Sequence, residues 1–210
     1  MFNYWETKFK EIGTAWGFEP ADSALKAMEL FRSNHLLKVL IPGVGYGRNA
    51  KLFADNGFDV SGIEISGSAI QLARQNGLNF PIHYGSVTQM PFDEVQYDGI
   101  YCYALIHLLG KPERKTFLQR CFDQLVSGGI MVFVAASTQM RLYGKGKLLS
   151  RDRYSFQNGL NVFFYNNESV VREFLAFGLT DCIDIEEPIR FMENEPPIPM
   201  KYIVCRKESV

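Results

Sequence analysis

Apolar and polar positions change rhythm repeatedly along this chain, and each change marks an element. Lys38-Val39-Leu40-Ile41 is a short apolar run that breaks into Pro42-Gly43-Val44-Gly45-Tyr46-Gly47, a strand followed by a glycine turn. From Arg48 onward, Ala50, Leu52, Phe53 and Ala54 fall at helical spacings until Asn56-Gly57 stops them. Phe58 to Ile63 predicts a second strand ending at Glu64. Ser66 to Gln75 predicts a helix stopped by Asn76-Gly77. Pro81 to Tyr84 and Tyr97 to Tyr103 read as the third and fourth strands. A helix is expected from Pro112 to Val126, opened by its early proline and ended before Gly128-Gly129. Ile130 to Ala136 is the most apolar strand and is expected at the centre of the sheet. Beyond a basic stretch come a helix, Glu168 to Phe177, and two closing strands, Leu179 to Glu186 and Tyr202 to Arg206.

Strands alternating with helices imply a parallel sheet covered on both faces, a doubly wound α/β fold. The last two strands are joined across Pro188 to Pro199, which is too short and proline-rich for a helical crossover. The final strand is therefore expected to return antiparallel. No internal repeat, linker or low-complexity segment interrupts the pattern, and 210 residues suit one domain spanning 1–210. Only residues 1–35 and a stretch near 140–165 remain to shape a pocket beside the sheet.

Composition narrows the partners. With 22 basic and 23 acidic side chains the net charge is -1, so no overall field draws the chain to nucleic acid or anionic membrane. Cys102, Cys121, Cys182 and Cys205 form no C-x-x-C pair and the three histidines show no ligand spacing; neither a metal site nor a disulfide framework is expected. Met1 to Glu6 lacks the basic-then-apolar order of a secretory signal and no apolar run is long enough to span a bilayer. The expected compartment is the cytoplasm.

The glycine turn carries the strongest chemical signal. A parallel strand delivers the chain to its carboxyl end, where glycines let the backbone approach a ligand that a Cβ would exclude. Gly43-x-Gly45-x-Gly47 is G-x-G-x-G, and Arg48 stands where the dinucleotide fingerprint needs its last glycine, which weakens a diphosphate clamp. No G-K-[ST] follows, so a P-loop is excluded. Glu64, at the end of the next strand, is placed to accept ribose hydroxyls. Together the two features specify an adenosine-type ligand.

These residues resemble the class I S-adenosylmethionine-dependent methyltransferases, through Val39 to Gly47 and Val60-Ser61-Gly62-Ile63-Glu64-Ile65-Ser66. Later segments agree in order. Gly85-Ser86-Val87-Thr88-Gln89-Met90-Pro91-Phe92 is similar to the family's adenine-contacting turn, with Ser86 where many members have aspartate. Tyr97 to Ala104 is similar to its fourth strand, and Leu125 to Ile130 to the turn into its fifth. Tyr4-Trp5-Glu6 and Thr14-Ala15-Trp16-Gly17-Phe18-Glu19-Pro20 resemble the N-terminal segment of the thiopurine and thiol methyltransferases, which covers the cofactor; Leu105 to Leu109 is closer to small-molecule and quinone methyltransferases. The resemblance implies a Rossmann-like seven-stranded sheet, S-adenosylmethionine as cofactor, and a cofactor site drawn from Trp5, Trp16, Gly43, Val44, Gly45, Gly47, Glu64, Ile65, Ser86, Val87, Cys102 and Tyr103.

Methyl transfer from a sulfonium is an in-line displacement that chiefly requires alignment and desolvation, so no triad or metal cluster is demanded. An acceptor still has to lose a proton. His107, following the fourth strand, is the candidate general base, against the alternative of a histidine packed or hydrogen-bonded under the sheet. Asp98, at the start of that strand, is expected to be structural. Trp5, Trp16, Tyr46 and Tyr103 offer π faces to a sulfonium, an adenine or an apolar acceptor, or pack as core. Arg141, Lys145, Lys147, Arg151 and Arg153 stand against Asp152 alone, either as a basic lid favouring an anionic small-molecule acceptor or as a solvated loop. A nicotinamide-dependent oxidoreductase and a methyltransferase of RNA or protein are the competing readings.

Overall fold

A computed structural model describes residues 2–14, 16–190 and 195–208, without the side chains of residues 2 and 3. In chain order the elements are α1 (Phe2–Ile12), α2 (Asp22–Ser33), β1 (Lys38–Pro42), α3 (Arg48–Asp55), β2 (Asp59–Glu64), α4 (Gly67–Gln75), β3 (Ile82–Tyr84), β4 (Tyr97–Tyr103), α5 (Lys111–Gln124), β5 (Leu125–Ala136), β6 (Lys147–Ser150), β7 (Arg153–Ser155), β8 (Asn161–Phe163), α6 (Asn167–Phe174), β9 (Leu179–Glu187) and β10 (Ile198–Arg206).

Seven strands form one sheet in the order β3-β2-β1-β4-β5-β10-β9. β10 runs antiparallel to both neighbours, β5 and β9, while the other pairings are parallel. The fold is the Rossmann-like α/β arrangement expected, with the return across the proline-rich connection antiparallel. Apolar residues run continuously through β1 because both faces of the sheet are covered. Leu40 packs toward α5 and α6 in one core, whereas Val39 and Ile41 pack toward α2 and α3 in the other, the period-2 alternation of a strand. Asp98 accepts the amides of Leu37 and Lys38 at 3.0 and 2.8 Å, tying the start of β4 to the start of β1, the structural role expected of it.

Four expectations are corrected. The central strand is β4, not the more apolar β5, which lies one place off centre between β4 and β10. Helix α5 ends at Gln124, and β5 begins at once, absorbing Gly128-Gly129 through a register shift against β4. Residues 1–35 do not act as one cover: α2 buries Ala24, Ala27, Met28 and Phe31 at helical spacing against the sheet, leaving α1 and the loop after it to lie over the strand ends.

The basic stretch is no loop but a second antiparallel sheet, β6-β7-β8. Tyr143, Tyr154 and Phe164 pack edge to face beneath it, and the Tyr143 hydroxyl donates to buried Asp152 at 2.7 Å. An ionic cluster anchors this side of the molecule. Arg114 forks onto both oxygens of Glu173 at 2.7 and 2.9 Å and donates to the Leu109 carbonyl at 3.1 Å, with its guanidinium 4.0 Å from the centre of the Phe163 ring. Arg153 donates to the same carbonyl.

Candidate active site

A cavity of about 350 Å³ opens over the carboxyl ends of β1, β2 and β4, where a doubly wound sheet places its ligands. Its floor is the glycine turn. Gly43 and Gly45 adopt φ of +69° and +58°, left-handed backbone that costs other residues about 1–2 kcal/mol. A Cβ on Gly43 would stand 3.0 Å from Leu105 Cδ2 across the cavity wall. The Gly43 and Val44 amides donate to the Ile63 carbonyl at 2.8 and 3.0 Å, so the turn is held against the end of β2.

Glu64 closes that end. Its Oε1 accepts the amides of Ile65 and Ser66, and its Oε2 accepts the amide of Gly45, each at 2.8 Å. The carboxylate is 6 % exposed; burial pushes its pKa up, opposed by these three donors. Three of about four acceptor positions are therefore filled, leaving one on Oε2 of a residue that lines the cavity. Glu64 thus clamps the glycine turn to the start of α4 as well as facing the ligand space.

The roof is aromatic. Trp5 and Phe9 from α1 and Trp16 from the following loop join Tyr46 of the glycine turn. Phe9 lies 5.9 Å from Trp5 and 5.8 Å from Trp16 between ring centres, and Trp16 stacks on Tyr46 with only 7° between planes. The Tyr46 hydroxyl donates to the Gly17 carbonyl at 2.7 Å, and burial pushes its pKa up to about 12. Glu6 docks α1: it accepts the Ser66 and Ser68 hydroxyls at 2.8 and 2.7 Å and the Ser68 amide at 3.2 Å. Those hydrogen bonds lower its pKa to about 2.

Of the residues singled out in the sequence, Trp5, Trp16, Gly43, Val44, Gly45, Glu64, Ile65, Ser86, Val87 and Tyr103 line the cavity. Ser86 does so with its hydroxyl engaged by Thr88, 2.8 Å away, as the cap of a short 3-10 turn. Three do not. Gly47 caps α3 and a Cβ there would collide with Leu78. Cys102 alternates to the opposite face of β4 from Tyr103 and is fully buried in the core, where burial raises its thiol pKa.

His107 stands in a 3-10 turn off the cavity. Its Nδ1 accepts the Ala136 amide at 3.1 Å, and burial lowers its pKa to about 4. The nitrogen that would collect a proton is already an acceptor for the end of β5, so the general-base expectation for His107 is replaced by a structural one. The basic side chains of 141–153 also lie outside the cavity wall, turned to solvent, to Glu168 and Glu195, and to the Leu109 carbonyl.

Sequence reasoning missed Glu6, Phe9, Arg48 and Glu187. Arg48 and Glu187 complete the wall beyond Tyr103, with the Arg48 guanidinium 5.5 Å from the Tyr103 ring centre. Glu187 carries the same signal as Glu64, a carboxylate closing a strand. No group of three or more His, Cys, Asp or Glu able to hold a metal ion occurs among the described residues. No helix among them is long and apolar enough to cross a membrane.

An adenosine-bearing sulfonium fits this chemistry: a glycine floor without Cβ atoms, a buried carboxylate with acceptor capacity to spare, and four aromatic rings overhead. Residues 39–129 match the family model of a methyltransferase domain. Among curated proteins none matches the chain. Among solved structures, an S-adenosylmethionine-dependent methyltransferase from Methanosarcina mazei is 18% identical with a TM-score of 0.69, over 82% of this chain and 93% of that one. The 1,6-didemethyltoxoflavin-N1-methyltransferase of Burkholderia thailandensis, crystallised with 1,6-didemethyltoxoflavin and S-adenosylhomocysteine, is 16% identical with a TM-score of 0.72, over 99% and 88%. Magnesium protoporphyrin IX methyltransferase from Synechocystis is 12% identical with a TM-score of 0.62, over 89% and 78%. The chain thus carries a methyltransferase domain, matched over residues 39–129 from β1 to the beginning of β5, with the glycine turn and Glu64 assembled at its ligand face.

Proposed function

We propose that the protein transfers a methyl group to a small-molecule acceptor by in-line displacement inside this cavity. The observation that carries the proposal is the roof. Trp5, Phe9 and Trp16 border the glycine turn on one side and Pro188 and Ile189 border the cavity on the other, giving a narrow cleft of the size small-molecule sites have. Gly43 and Gly45 would admit the cofactor, Glu64 would hold its ribose, and Ser86 and Val87 would border its adenine. Once bound, S-adenosylmethionine supplies an electrophilic methyl group on a positively charged sulfur. The aromatic roof excludes water and presents electron-rich faces to that charge.

A small acceptor agrees with two neighbours whose names specify a toxoflavin precursor and a porphyrin. The anionic acceptor suggested by the basic stretch loses its support, because those cations stand outside the cavity. The position of Trp5 and Trp16 in the cavity wall supports the narrower reading of an N-terminal segment that covers the cofactor, as the resemblance to thiopurine and thiol methyltransferases implies. Four free cysteines, three of them buried, suit the reducing cytoplasm.

The test is transfer of labelled methyl from the cofactor to panels of small thiols, phenols, amines and carboxylates, run beside RNA and protein extracts, with calorimetry of S-adenosylhomocysteine and NAD. Label confined to macromolecules overturns the small-molecule reading. Tight NAD binding without S-adenosylhomocysteine binding overturns the cofactor assignment.

A further inference from the structure

Two buried carboxylates bracket the cavity. Glu64 stands at the tip of β2, near one edge of the sheet, and Glu187 at the tip of β9, the opposite edge strand, with Tyr103 and Arg48 between them in the wall. We propose that Glu187 receives the acceptor, that the acceptor's reacting group is a neutral amine, and that this carboxylate takes the proton the nitrogen sheds.

The placement of Glu187 is unlike that of a structural ion. It is 3 % exposed yet lines the cavity, and its hydrogen-bonding residue is Ser23, whose amide donates to Oε1 at 2.7 Å from the first turn of α2. The Ser23 hydroxyl also hydrogen-bonds the carboxylate and lies 3.0 Å from the Tyr101 hydroxyl, so Ser23 supplies both of its donors. A carboxylate has about four acceptor positions, and a buried one left short of donors is costly unless a ligand completes it. Asp22, Arg48, Tyr101, Tyr103 and Arg190 are the charged and titratable groups around it. Arg190 is committed to Asp22 at 2.5 Å and to Glu19 at 3.3 Å, so those charges offset one another. Arg48 lies against Tyr103. Glu187 is left as the acceptor-side group with capacity to take a proton, and burial raises its pKa in that direction.

Charge flow selects the acceptor. When a neutral amine attacks, the N–C bond forms from the nitrogen lone pair as the C–S bond breaks, its electron pair passing to sulfur to leave a neutral thioether. Positive charge appears on nitrogen, and its proton passes to the Glu187 carboxylate, giving a neutral methylated amine and a carboxylic acid. A carboxylate facing the nitrogen stabilises that developing charge. It would repel the thiolate or phenolate on which sulfur and oxygen acceptors depend.

This inference rests on the methyltransferase reading of the same cavity, and the test separates the two. Glu187→Gln keeps the size and one acceptor oxygen for the Ser23 amide while removing the base. Expected are unchanged S-adenosylhomocysteine affinity by calorimetry, weaker binding of aromatic amines to the protein–S-adenosylhomocysteine complex, and a fall of about 100-fold in kcat/KM for labelled methyl transfer to those amines. With anilines carrying electron-withdrawing groups, whose nitrogen stays neutral through the range where carboxylates titrate, loss of the acid limb of the rate in Glu187→Gln reports the carboxylate itself. Glu187→Asp retains part of the activity and the limb, and Glu186→Gln on the exposed side of β9 behaves as the unsubstituted protein. Label passing only to thiols or phenols, or amine transfer undiminished in Glu187→Gln, overturns the proposal. Absence of S-adenosylhomocysteine binding by the unsubstituted protein overturns the underlying reading and this one with it.

Discussion

Glu6 Oε2 and Ser66 Oγ lie 2.8 Å apart although 60 positions separate them in the chain, and this contact joins the roof of the cavity to the end of its floor. Ser66 is also the N-cap of α4, accepting the Ala69 amide at 3.1 Å, and its own amide donates to Glu64. One serine therefore connects the covering helix, the α4 terminus and the ligand-facing carboxylate. Glu6→Ala removes three acceptor contacts and leaves α1 held by its aromatic face alone. S-adenosylhomocysteine affinity is expected to fall about 10-fold, the equivalent of one hydrogen bond to a charged group. Trypsin should cut faster after Lys8 and Lys10. The Glu6 pKa is depressed from 4.5 to about 2, so its docking contribution is complete above pH 4.5 and is lost as pH falls toward 2. Proteolysis rates measured down that window in a protease active in acid test the sign.

Glu64→Gln is expected to be far from conservative. All three neighbours of the carboxylate are N–H donors, and an amide nitrogen would turn a donor toward at least one of them. The dissociation constant for S-adenosylhomocysteine should rise about 10- to 100-fold, corresponding to about 1.5–3 kcal/mol, with a measurable loss of thermal stability. An unchanged constant would remove Glu64 from the ligand site.

His107→Ala should lower stability by about 1–3 kcal/mol, because the buried Ala136 amide loses its acceptor, while leaving the pH dependence of methyl transfer near neutrality intact. In the unsubstituted protein the His107 pKa falls from 6.5 to about 4 on folding. The unfolded chain therefore binds the extra proton between these values, and stability drops as pH falls from 6.5 toward 4. Denaturant midpoints measured across that range should show the slope, and His107→Ala should flatten it.

Arg114 and Glu173 have side chains 3 % and 14 % exposed, so removing either partner strands a buried charge. Glu173→Ala is expected to cost about 3–5 kcal/mol, read as a lowered denaturant midpoint at constant slope. Because Arg114 also holds the Leu109 carbonyl in the cavity wall, the KM for the acceptor should rise as well.

The glycine turn, Glu64 and the antiparallel return of the last strand were readable in the sequence because each has a local cause: φ above zero at Gly43 and Gly45, a carboxylate closing a strand, and a proline-rich link that forbids a crossover. The roof was only half readable. Trp5 and Trp16 marked it, but Phe9 and the Glu6 contact arise from how α1 docks on α4, and no local pattern encodes a partner 60 residues away. His107 and Cys102 were misassigned for a related reason: sequence places a residue near the end of a strand but not on one face of it. In the segment around Leu148 and Leu149 exposed apolar residues hid the alternation that would have revealed β6. Glu187 repeats the Glu64 signal, yet reading it required knowing that β9 folds back beside α2.

Both tryptophans of the chain, Trp5 and Trp16, stand in the cavity roof, and every other aromatic residue is a tyrosine or phenylalanine. Indole emission from this protein therefore originates wholly at the ligand face. Excitation at the red edge of the absorption band reports the closure of α1 and the arrival of a purine beneath it, with no background from the sheet. The molecule thus carries an intrinsic optical probe: quenching by added S-adenosylhomocysteine gives its affinity without a label, and Trp5→Phe and Trp16→Phe divide the signal between helix and loop.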